Sequence, residues 1–162
     1  MAFFTKDTSP TPAMPGALAP LSKDRIKAAL ESEGWSYSVD SDGDVGGGWE
    51  YASFYFFVNG ANDELLCVRG TWRGQLAFSD FAAAAEVCNA WNADKLWPKT
   101  YARRDDEGTV YVHAEHNVDY EHGLADDQLR QHLVCAINTS MMFFEHVNEA
   151  FPETWEKFKP ED

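Results

Sequence analysis

Basic residues are scarce in this 162-residue chain: 13 Lys and Arg stand against 27 Asp and Glu, a formal net charge of −14. Such a surface repels phosphate backbones and anionic lipid, so neither nucleic acid nor a membrane surface is an expected partner. Long apolar runs are missing too, and none approaches the roughly 20 residues a membrane-spanning helix needs. Phe3 and Phe4 are too few for the apolar centre of a secretory leader, and no basic segment precedes them. The cytoplasm is the expected compartment. Cysteine is limited to Cys67, Cys88 and Cys135, widely spaced and each in an apolar stretch. No pair has redox or metal-knuckle spacing, so buried, reduced thiols are expected. Internal repeats are absent.

What the chain does have is apolar mass: 44% hydrophobic and 14% aromatic residues, enough for one globular domain. The organising stretch is Phe78 to Pro98. Ser79 suits an N-cap, and Phe81, Ala84, Ala85, Cys88 and Trp91 recur at helical spacing. Four consecutive alanines allow close approach to a sheet, and Asn92 or Asp94 can end the helix.

Around this connector the pattern alternates between helix and strand. Residues 1–19 carry Pro10, Pro12 and Pro15 among small polar residues and read as a flexible arm. A single domain spans 20–152, and an acidic tail occupies 153–162. A helix is predicted from Ser22 to Glu33, then a half-buried strand at Trp35–Val39. Strands follow at Trp49–Val58, Leu65–Trp72, Lys99–Arg104 and Thr109–Val118, with Gly46-Gly47-Gly48 as a loose segment or bulge. The final helix, Asp126–Asn148, presents Leu129, Leu133, Ala136, Ile137, Ser140, Phe144 and Val147 as its core face. Ala125 stands at its cap position and offers no side-chain acceptor. The fold class is α+β, in the order α-β-β-β-α-β-β-α, an antiparallel sheet packed with helices.

Gly34-Trp35-x-Tyr37, Asp42-Gly43-Asp44, Cys88-Asn89-x-Trp91-Asn92, Trp97-Pro98 and Gly123 before the last helix resemble the actinobacterial branch of the YbjN family. The resemblance covers about residues 21–152. It implies a fold like that of type III secretion chaperones, a regulatory role, and no catalytic residues to transfer.

Asp40, Asp42 and Asp44 alternate as calcium ligands do, but Val45 and Tyr51 replace the Gly and Glu of such a loop, so a hairpin turn is expected. His113, Glu115, His116, Asp119, Glu121 and His122 lack zinc-site spacing, and a solvated strand face is the expectation. His132 and His146 are four helical turns apart, too far to share a metal. Neither a cofactor, a catalytic group nor a metal set is expected. Asn89, Trp91, Asn92 and Trp97 form a candidate small site, set against Asn92 as a cap. Val134, Met141, Met142 and Phe143 extend the apolar girth of the last helix. They are candidate protein-interaction residues, for a homodimer or another partner, set against packing on Ile26 and Leu30. The function expected is a non-enzymatic chaperone-like or regulatory module. The alternatives are a small-ligand sensor with an aromatic-lined pocket and an unrecognised metal-binding enzyme.

Overall fold

A computed structural model describes residues 17–160. The reading of 1–16 as an arm lies outside those residues, but Ala19 is already tied down, its backbone bridged to Leu124.

Helix α1 (Lys23–Ser32) starts where expected, with the Ser22 hydroxyl accepting from the Arg25 N–H. It buries Ile26 and Leu30. The sheet has six antiparallel strands in the order β1-β2-β3-β4-β6-β5. They are β1 (Ser38–Val39), β2 (Val45–Gly48), β3 (Ala52–Asn59), β4 (Leu65–Trp72), β5 (Lys99–Arg104) and β6 (Val110–Asp119). Helix α2 (Phe81–Asp94) links β4 to the edge strand β5, and β6 returns between them. Helix α3 (Asp126–Ala150) and the short α4 (Pro152–Phe158) complete the chain.

The predicted order holds, with two additions and one shortened strand. The glycine run is β2 itself. A Cβ on Gly47 would sit 2.8 Å from the Trp49 ring and 3.0 Å from the Ser36 carbonyl, so only glycine lets this strand lie so close. Of the predicted Trp35–Val39 strand only Ser38–Val39 pairs, and Val39 is exposed. Trp35 instead meets Trp49 edge-on at 5.8 Å. The acidic tail begins as α4, because Trp155 packs edge-on against Tyr51 at 5.5 Å. Ser79 is not a cap: Phe78–Asp80 is a single 3-10 turn, and α2 begins at Phe81.

One face of the sheet carries the helices. Phe54 and Phe56 of β3, Leu66, Val68 and Trp72 of β4, and Val110, Val112 and Ala114 of β6 are all buried there. Helix α3 covers them with Leu129, Leu133, Ile137, Phe144 and Val147, and α1 and α2 flank it. Contact is close at Gly70, where a Cβ would lie 2.7 Å from Phe54 and 2.8 Å from Phe144. Asn148 accepts from the Trp72 indole at 2.7 Å and fastens the end of α3 to β4.

Candidate binding face and adjoining cleft

Period-two alternation sends every second strand residue to the opposite face. There the residues are Tyr55 and Phe57 of β3, Arg69 and Thr71 of β4, Tyr111, His113, Glu115 and Asn117 of β6, and Lys99, Tyr101 and Arg103 of β5. No helix covers this face among the described residues. Register aligns Tyr55, Arg69, Glu115 and Lys99 across four strands, and Thr71, His113 and Tyr101 in the next row.

Glu115 is the hub of the first row, only 6% exposed. Its carboxylate accepts from Arg69 Nε at 2.8 Å and from the Tyr101 hydroxyl at 2.6 Å, and it pairs with Lys99. Burial opposes its ionisation, but the hydrogen bonds from Lys99, Tyr101, Arg69 and Asn117 outweigh it and hold the carboxyl at about 2. Burial of Tyr101, helped by the bond to Glu115, keeps its phenol protonated. His113 contacts the Thr71 hydroxyl at 3.0 Å, and burial together with Arg69 pushes its imidazole down to about 4. Arg69 lies over the Phe57 ring at 5.2 Å and Lys99 over the Tyr101 ring at 5.3 Å. Tyr55 stacks on Phe57 at 5.5 Å.

The segment read as a solvated strand face is solvated only in part: Asp119, Glu121 and His122 are exposed, but Glu115 and His116 are buried. Glu115 is enclosed by its own partners, and His116, on the opposite face of β6, is 5% exposed beneath α3. Strand parity separates His113 from His116. His122 lies in the turn beyond, exposed, 3.1 Å from Glu121. His116 lies 5.7 Å from the His132 ring, and His132 bonds the Tyr120 hydroxyl. His116 Nδ1 is buried with no hydrogen-bond partner. Burial lowers the pKa of both imidazoles, and for His116 the nearby His132 adds to it. Sequence reasoning missed this pair, because only tertiary contact brings β6 and α3 together. No group of three or more potential metal ligands forms among the described residues. The Asp40 carboxylate accepts from the Asp42 and Asp44 N–H groups, the hairpin geometry expected.

The candidate small site is only partly assembled. Asn92 is not the cap of α2: its amide donates to the Thr100 carbonyl and accepts from the Thr100 N–H, both at 2.9 Å, as a neighbouring strand would. Trp91 is half-buried against Phe143, ring centroids 5.3 Å apart, and its indole donates to the Trp97 carbonyl at 3.2 Å. Asn89 is exposed on α2. Trp97, 50% exposed, opens with Asn92 onto a cleft of about 350 Å³ that also takes in Lys95, Lys99, Glu115, His116 and Asn117.

The α3 interaction stripe needs correcting. Phe143 is fully buried, packed against Trp91 and Phe144, because α2 lies alongside α3 there. Met141 is half-buried against the core, and Val134 is half-buried. Met142 alone of the four is well exposed, at 60%.

A family model of YbjN, described as a "putative bacterial sensory transduction regulator", matches residues 22–149. The chain belongs to the YbjN family. Its fold matches the crystal structure of YbjN, "a putative transcription regulator from E. coli", with a TM-score of 0.71 over 82% of this chain and 96% of that one. Sequence identity across that match is 13%, so the likeness speaks for the fold alone. No curated protein matches. The family description is that of a regulator and not of an enzyme. Among the described residues, no helix is long and apolar enough to cross a membrane.

Proposed function

We propose that this YbjN-family chain is a non-enzymatic regulatory module that binds an acidic protein partner through the helix-free face of its sheet. The carrying observation is the composition of that face. Tyrosine and arginine are enriched where protein interfaces concentrate their energy, and here Tyr55, Phe57, Tyr101, Tyr111, Arg69 and Arg103 share one surface. The face also carries Arg69, Lys99 and Arg103, against the carboxylates of Glu115 and, by the same parity, Asp119, in a molecule whose formal net charge is −14. Complementarity with an acidic partner follows, and steers its approach.

A catalytic reading finds less support. A general acid or base works best with a pKa near the working pH. Glu115 at about 2 and His113 at about 4 are both far from neutrality. The three thiols are free, which supports a reducing compartment such as the cytoplasm.

Affinity capture from the native host tests the reading, with Tyr55→Glu as the face variant and Met142→Glu as a control on the helix side. A protein retained by wild type and by the control, and lost with Tyr55→Glu, supports it. Equal retention by all three overturns it.

A further inference from the structure

The cleft beside Trp97 is electrostatically unlike the rest of the surface. Lys95 and Lys99 line it against one carboxylate, Glu115, which Arg69 already shares. Four other clefts on the described residues hold at least as many carboxylates as Lys and Arg side chains. In a chain of net charge −14, this is the one of the five clefts whose lining carries more cationic than carboxylate side chains.

In a largely polar lining, the Trp97 ring supplies one flat apolar wall. One side of the Trp97 ring faces the His116 ring at 6.0 Å, tilted by 49°, and half of Trp97 remains open to solvent. Its position is set from behind, since the Trp91 indole holds the Trp97 carbonyl and Asn92 clamps Thr100. Burial and the nearby His132 keep His116 neutral at the floor, so it adds no charge of its own. Donors are at hand. An ammonium has three N–H groups, and Lys99 spends one on Glu115. Lys95 is tied, among the described residues, to the exposed Asp94, a surface pair that is easily exchanged. A volume of about 350 Å³ lies in the range of small-molecule sites.

We propose that this cleft binds a small carboxylate carrying a flat ring, the ring stacked on Trp97 and the carboxylate held by Lys95 and Lys99. The inference is independent of the protein partner, because it is read on the isolated chain.

Calorimetric titration of the full chain with indole-3-carboxylate, indole-3-carboxamide and acetate tests it. The carboxylate is expected to bind. The amide, lacking charge, and acetate, lacking the ring, are each expected to bind about tenfold more weakly or not at all. Trp97→Ala and Lys95→Gln are each expected to weaken the carboxylate about tenfold, with Met142→Ser unchanged. Lys95 is exposed, so its variant reads the site even if Trp97→Ala folds poorly. No binding of indole-3-carboxylate at about 10 mM overturns the proposal. So does equal binding of acid and amide, or a Lys95→Gln protein that binds as wild type.

Discussion

At the scale of single residues the sheet face is governed by Glu115. Its folded pKa of about 2 lies below the ordinary 4.5. The stabilisation is therefore complete above about 4.5 and lost as the pH falls through about 2. That gap corresponds to about 3 kcal/mol. Glu115→Gln is expected to lower stability by that order at pH 7 in chemical denaturation. Its deficit against wild type should shrink between pH 4.5 and 2, and a deficit constant with pH would rule this out. His113 works in the same direction at higher pH. Its imidazole, ordinarily at 6.5, sits at about 4, so its contribution is whole above 6.5 and lost toward 4. The thiols order themselves by burial. Cys135, half-buried, is expected to react with a thiol reagent before Cys88, which burial pushes to about 11. Mass spectrometry of briefly labelled native protein reads that order.

At the scale of elements, helix termini and the α2–β5 clamp give separable expectations. Ala125 holds extended cap geometry, and Gln128 Oε1 already accepts from its N–H, so half of a capping box exists. Ala125→Ser supplies the missing acceptor and is expected to raise stability by about 0.5–1 kcal/mol in denaturant melts. Asn92→Ala removes both bonds to the Thr100 backbone and uncovers that edge of β5. A loss of about 1–3 kcal/mol is expected, with local hydrogen exchange at Thr100 rising in step. These elements were largely legible in advance. Helix α3 was readable because Leu129, Leu133, Ile137, Phe144 and Val147 keep a 3.6-residue period, β6 because Val110, Val112 and Ala114 alternate with Tyr111, His113 and Glu115, and β4 because an apolar run follows the Asn59-Gly60 turn. Strand β2 was not, because glycine carries no side chain and so no pattern, and its pairing depends on how Trp49 folds over it.

At the scale of the whole molecule, one face is closed by helices and the other left polar and aromatic. Association through α3 would have to rest on Met142, since Phe143 faces inward and Met141 packs against the core. One methionine is far from the roughly 800 Å² per partner of a specific interface. Met142→Asp is expected to leave the light-scattering mass and the melting temperature unchanged. Phe143→Ala is expected to cost about 3–5 kcal/mol, as emptying an aromatic core site does. The candidate face itself was half legible: parity groups His113 with Glu115, and Lys99 with Tyr101, from single strands. Their surroundings were not legible, and the expectation of a solvated strand missed how fully Glu115 is enclosed.

The sequence by itself determined the class of the molecule and the nature of its elements, because side-chain period and turn chemistry act over a few residues. Glycine and Asp-Gly turns and a long amphipathic final helix needed nothing more. Tertiary structure alone decided that β6 inserts between β4 and β5. That choice sets Arg69 and Glu115, 46 residues apart, in hydrogen-bond contact, and brings Lys99 to the same carboxylate. It also decided that α2 lies along α3, which takes Phe143 out of the surface and leaves Trp97 standing over the cleft. Contacts between distant segments follow from how whole faces bury one another, and no local pattern records which faces will meet.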